Sequence, residues 1–108
     1  MTGRTVAGVR ATLVGGAQVL EQVGWAQGRA ISLDGRVCAR EALRIAADGD
    51  DEAMVHALEA VDGMLLPLRI DLVTWNDRAD RRYVDAVTLL RSAADRVAGT
   101  SPTAWAAW

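Results

Sequence analysis

Apolar residues recur at steps of three and four from the start of the chain, where Val6, Val9, Leu13, Ala17, Leu20 and Val23 share one face of a helix spanning about residues 5–23. Gly24 breaks the period and reads as the C-cap. Gly15-Gly16 falls in the middle, where each glycine costs about 1 kcal/mol relative to alanine. The pair therefore implies close approach by another element, with a partner helix as one candidate. Beyond Trp25 the helical period stops. Arg29-Ala30-Ile31-Ser32-Leu33, then Asp34-Gly35 and Arg36-Val37, reads as a short hairpin near residues 28–38 with a tight turn. A lone hairpin is marginal in water, so it must lie on the helices, with Trp25 pinning its base.

A second helix spans about residues 38–47 and stops at Asp48-Gly49. The third starts after Asp50-Asp51, carries Met54, Ala57, Leu58, Val61 and Leu65 as its buried stripe, and is closed by Pro67. Leu68, Ile70 and Leu72 alternate inside helical surroundings, which leaves residues 68–74 either extended or a single helical turn. Tyr83, Val87, Leu90, Ala94 and Val97 define the last long helix, which Gly99 stops. Ser101-Pro102 then opens a terminal turn carrying Trp105 and Trp108. The expected fold is mainly α: a single domain over residues 1–98, a bundle of about four helices with a small β-hairpin, followed by a Trp-containing segment at 99–108. An α+β arrangement is the alternative.

At 108 residues the chain can bury one core without metals or disulfides. Its 51% apolar and 24% charged residues fit neither a disordered nor a fibrous chain. Cys38 is the only cysteine, so no intrachain disulfide forms and a cytoplasmic home is expected. Gln18 and Glu21 interrupt the only run resembling a signal-peptide core, and no stretch is long enough to span a bilayer. All twelve basic residues are arginines, yet the net charge is −2, and Asp77, Asp80 and Asp85 interleave with Arg78, Arg81 and Arg82. That pattern makes a solvated face, so neither nucleic acid nor membrane is expected as a partner.

Cys38, His56 and Asp77 supply the residue types of a nucleophile, a base and an orienting acid, and a cysteine at a helix start can be activated. The plainer reading has Cys38 filling the junction between hairpin and helix, with His56 at the rim of the third helix. Asp48, Asp50, Glu52 and Glu59 match places one, three, five and twelve of a calcium loop, but the sixth place is Ala53 and a helix continues through the loop. Capping by Asp50 or Asp51 accounts for these residues, and no metal is expected. The glycines have no phosphate-binding spacing, so no cofactor is expected either. Four tryptophans and one tyrosine, without any phenylalanine, could line a pocket for an apolar or cationic ligand, although core packing is the favoured role of Trp25 and Trp75.

Gly24-Trp25-x-Gln27-Gly28, Cys38-x-x-x-Ala42-Leu43 and Trp75-Asn76-Asp77-x-x-x-Arg81, in that order and ahead of a Val/Leu-rich helix, resemble a domain family of high-GC Gram-positive bacteria and their phages that has no assigned activity. The resemblance covers roughly residues 13–97 and leaves the terminal segment outside. At Arg82 the chain departs from a Thr-like N-cap, so Asp80 is expected to cap instead. The resemblance implies the fold and supplies no chemistry.

The expected function is a non-catalytic binding, regulatory or accessory module acting through protein or small-ligand contacts. Trp25, Gln27, Trp75, Asn76 and Asp77 are its candidate ligand residues, and an apolar small molecule is a possible ligand. The alternative is a small cofactor-free enzyme with a pocket near Trp25, Cys38, His56 and Trp75 to Asp77. Trp105 and Trp108 lie three apart, on one face, and so short a segment needs a docking surface. Gly15 and Gly16 are the candidate surface, in the same chain or, as the preferred expectation, in a second copy forming a homodimer.

Overall fold

Four of the five α-helices begin where a short acceptor side chain can take up a free N–H. Thr5 accepts from Gly8 N to start α1 (Val6–Val23), Cys38 caps α2 (Ala39–Ala47), Asp50 caps α3 (Asp51–Leu65) and Asp71 caps α4 (Leu72–Asp77). α5 (Tyr83–Ala98) differs. Arg82 occupies its cap position, and a guanidinium has no acceptor to offer. The Asp85 carboxylate instead accepts the Arg82 N–H at 2.8 Å. Asp80 does not cap the helix as expected; it pairs with Arg78 at 3.7 Å. The computed structural model describes residues 5–99.

These five helices form a compact, mainly helical bundle with a radius of gyration of 13.2 Å, the value expected for a chain of this size. α1 is the central element, packing chiefly on α5 and α2 and also on α3, while α4 lies across α2 and α3. Val9, Leu13, Ala17 and Leu20 of α1 meet Leu43, Val61, Leu90 and Val97 in one core. Gly16 shows how tight the seam is: a Cβ there would stand 2.7 Å from Leu43 Cδ2 and 3.2 Å from Leu90 Cδ1. A Cβ on Gly15 would stand 3.1 Å from that of Ala46. The close approach implied by the glycine pair is made within the chain, by α2 and α5. Trp105 and Trp108, the other half of the expected interface, lie outside the described residues.

α5 buries Leu90, Ala94 and Val97 as its spacing predicts, with the inward stripe rotated toward Ala86, Leu89 and Ala93 and away from Tyr83. Ala86, Leu89, Leu90, Ala93, Ala94 and Val97 are buried, whereas Tyr83 is 44% exposed and Val87 only half-buried. Small residues let helix axes come closer, so Ala86 and Ala93 face the core beside Leu89 and Leu90. Residues 68–74 resolve on the helical side: a 3-10 turn at Leu66–Leu68 contains Pro67, Arg69 reverses the chain with φ 56°, and α4 follows.

The hairpin is reduced to two isolated bridges, Trp25 with Val37 in parallel and Ile31 with Val37 antiparallel, and there is no strand among the described residues. The turn itself forms, with Gly35 N–H donating to Ser32 O at 3.0 Å and Ser32 N–H to Arg36 O at 2.8 Å. Period-two alternation predicts a strand only when one side of it is buried. Here Ile31 and Leu33 are both exposed, at 53% and 98%. Residues 24–38 therefore run as a loop over the bundle, and the Asn76 and Asp77 side chains of α4 take part of the bonding that a second strand would supply.

Gly16→Val should lower stability by about 1–3 kcal/mol in urea unfolding, because added methyls in a filled seam force Leu43 and Leu90 off their positions. Equal unfolding midpoints for the variant and the parent chain would refute the tight α1–α2–α5 seam.

Candidate functional site

α4 is six residues long and ends in the tripeptide Trp75-Asn76-Asp77. So short a helix has little stability of its own, so what its last turn touches must hold it. Trp75 is buried, with the Arg81 guanidinium stacked over its ring at 4.5 Å from the centroid. Arg81 Nε also donates to Trp75 O at 3.3 Å, satisfying one of the carbonyls that a helix end leaves free.

Asn76 has no exposed surface, and its amide is fully used. Oδ1 accepts from the Trp25 indole N–H at 2.7 Å and from Ala39 N–H, in the first turn of α2, at 3.0 Å. Nδ2 donates to Ala26 O at 3.0 Å and to Asp77 Oδ1 at 2.9 Å. Swapping amide oxygen and nitrogen would set donors against donors at Trp25 and Ala39, so the network itself fixes the orientation. Asp77 Oδ1 also accepts Gly28 N–H at 2.9 Å, and Gln27 Nε2 donates to Asn76 O at 3.0 Å and Arg78 O at 2.7 Å.

The three parts of the sequence signature therefore meet. Trp25, Gln27 and Gly28 bond directly to the Asn76 and Asp77 segment, and Cys38 sits one residue before the Ala39 amide that Asn76 holds. The candidate ligand residues are thus bonded chiefly to one another. No buried side-chain nitrogen or oxygen lacks a partner among the described residues.

Cys38 is 7% exposed and serves as the N-cap of α2, its Sγ accepting Glu41 N–H at 3.3 Å. Beside it lies a depression of about 170 Å³ whose lining includes Gly28, Cys38, Glu41, Val73 and Asp77. That is below the roughly 300 Å³ at which ligand pockets usually begin. His56 is elsewhere: it lines a groove between α3 and α5 and pairs with Glu59 at 3.6 Å. Cys38 and Asp77 thus share one depression, and His56 is not brought to it. The calcium-loop residues divide in the same way, since Asp50 accepts Ala53 N–H at 3.0 Å as a helix cap and Glu59 faces His56. Among the described residues no group of three or more metal-ligating side chains forms, and no helix is long and apolar enough to cross a membrane.

Two features went unread in the sequence. Glu41 is buried in the first turn of α2, where its carboxylate takes both Nε and a terminal nitrogen of Arg44. The Arg44 guanidinium holds the Glu41 carboxyl below its ordinary value, outweighing the opposing effect of burial. The three-residue spacing on a helix was the available signal. The second is the loop tip at Leu33, which alternation had assigned to a hairpin.

The fold and this interlocked site define a small helical-bundle domain in which one buried amide fastens a crossing loop to two helices. The chain belongs to a family of unknown function, DUF6197, whose model matches residues 4–96. No curated protein and no solved structure matches it significantly.

Asn76→Ala should cost about 3 kcal/mol or more, since it strands Trp25 Nε1, Ala39 N–H and Ala26 O at once, at about 1–3 kcal/mol for each group that water cannot reach. Asp77→Ala, at the surface, should cost about 1 kcal/mol. Urea unfolding measures both, and equal losses would refute the hub role of Asn76. The Glu41 shift carries its own sign. A carboxyl whose folded pKa is depressed adds stability that is complete above its ordinary value of 4.5 and is lost as pH falls through the depressed value. Glu41→Gln should therefore flatten the acid limb of the stability profile below about pH 4.5; an unchanged limb counts against the pair.

Proposed function

We propose that this domain is a non-catalytic binding module for another protein, and that it makes contact through the loop of residues 24–38. The observation that carries this reading is Leu33, 98% exposed at the tip of a turn that is hydrogen-bonded beneath it. Single exposed leucines are common and need no explanation. This one is held up: Arg36 N–H donates to Ser32 Oγ at 3.0 Å, and the Asp34 carboxylate takes Arg36 Nε at 3.0 Å through each oxygen.

The Ser32 hydroxyl and Arg36 lower the Asp34 pKa to about 2, so the turn keeps its ionic tie at any physiological pH. At its base, Arg36 reaches Trp25 O at 3.4 Å, and Gln27 and Gly28 are tied to the end of α4. A shallow concavity beside Leu33, lined in part by Ala26, Gln27, Arg29 and Arg36, adds polar groups around the apolar tip. An apolar anchor with a polar surround on a pre-formed loop is the usual composition of a protein contact. The small-enzyme alternative has no observation of this kind behind it.

A photo-crosslinking residue at position 33 should give a discrete adduct in cells, whereas the same residue at Val55, half-exposed on α3, should not. Leu33→Asp should leave stability within about 0.5 kcal/mol and weaken the captured partner's binding by at least about tenfold. Matching adduct patterns at positions 33 and 55, or undiminished affinity of Leu33→Asp, would overturn the reading.

A further inference from the structure

α3 and α5 leave between them a groove of about 300 Å³, the size at which small-molecule pockets begin. Helical spacing builds it from one stripe of each helix. His56, Glu59, Ala60 and Gly63 share a face of α3, and Ala93, Arg96 and Val97 share a face of α5. The lining is mixed. Buried Ala93 and Val97 with half-buried Ala60 supply apolar surface, while Glu59 and Arg96 are exposed. Gly63 keeps the groove open. Gly15 and Gly16 owe their missing side chains to α2 and α5, but a Cβ on Gly63 would meet nothing within 4 Å. Nothing inside the bundle calls for glycine there, and the helix is weaker for it.

The polar groups of the groove do not balance one another. Glu59 carries the one carboxylate of the lining, and His56 Nδ1 already faces it at 3.6 Å. Arg96, in the last turn of α5, brings five N–H donors in a rigid fork, and His56 adds at least one more. The lining thus holds more donors than the Glu59 carboxylate can take, which suits an incoming acceptor. A guanidinium fork matches a carboxylate in particular, through two parallel bonds. An ammonium ligand would find only Glu59, with His56 beside it. Apolar surface for contact and a few convergent polar groups for orientation are what small-ligand sites are made of.

We propose that the α3–α5 groove binds a small organic monocarboxylate. Its apolar body, the size of a single ring, lies over Gly63 against Ala93 and Val97, and its carboxylate pairs with Arg96. The site is separate from the Leu33 loop, so either stands without the other.

The test titrates phenylacetate and hexanoate into the isotope-labelled full chain and follows the backbone amide shifts. Phenylacetamide serves as the neutral counterpart and phenethylammonium as the cationic one. At least one carboxylate should give saturable shifts centred on residues 56–63 and 93–97. It should bind at least about tenfold more tightly than the amide, since a hydrogen bond to a charged group outweighs a neutral one by that much. Arg96→Gln should bring carboxylate binding down to the level of the amide and leave the amide's own binding unchanged. Gly63→Leu should abolish both. Leucine favours a helix over glycine, so that variant stays folded, which unmoved Trp25 and Trp75 indole resonances check. Absence of saturable shifts with both carboxylates, equal affinity of acid and amide, or carboxylate binding that survives Arg96→Gln would overturn the proposal. Tighter binding of the ammonium would overturn it in favour of a cationic ligand held by Glu59.

Discussion

One buried amide holds the architecture in register. Asn76 joins the segment after α1, the first turn of α2 and the last turn of α4, and each of its four bonds reaches a group of defined polarity. No other side chain serves in its place. Aspartate offers no donor to Ala26 O, glutamine is longer by a methylene, and an apolar residue strands the partners. A buried polar network is sound only when every member is satisfied, and this one is. Its consequence is positional: α4, too short to stand alone, and a loop that lacks a sheet are both fixed by the same group.

The seam along α1 supplies the apolar counterpart. Gly15 and Gly16 weaken that helix locally, but they bring α2 close enough for Leu43 to pack over the backbone, with Leu90 from α5 on the other side. Bringing α2 in places Ala39 N–H where Asn76 can accept it. The two devices therefore depend on each other. Loosening the seam would pull the α2 terminus from the amide, and losing the amide would free α4 and the loop. Cys38 stands where they meet, capping α2 with a weak sulfur acceptor beneath the loop.

Helix positions and most ends were legible because they are local. Thr5, Asp50, Gly24 and Gly99 are punctuation that the chain carries with it. On α5, Leu90, Ala94 and Val97 were legible as inward positions, but Ala86 and Ala93 were not, since alanine gains less from burial than valine or tyrosine. The strand reading failed for a related reason: alternation at Ile31 and Leu33 records residue types, whereas burial depends on what covers them. Trp25, Gln27 and the Trp75-Asn76-Asp77 tripeptide stood out as a signature, but their mutual bonding spans about fifty positions of chain and leaves no periodic trace. The catalytic grouping of Cys38, His56 and Asp77 likewise followed residue type, and the fold separates His56 from the other two.

A signature that spends its hydrogen bonds on itself changes where function is to be sought. Groups that recognise a ligand must keep donors or acceptors facing it, and Asn76 keeps none. What the lock contributes instead is preorganisation. A loop tied down at Trp25, Gln27, Gly28 and Arg36 has already lost most of the freedom that binding would otherwise remove, so contact energy at its tip is less offset by ordering. On this account the family resemblance and the proposed binding surface belong to different residues. The signature keeps the loop in place, and the tip it carries, Leu33 with its neighbours, is free to change without disturbing a single bond of the Asn76 network.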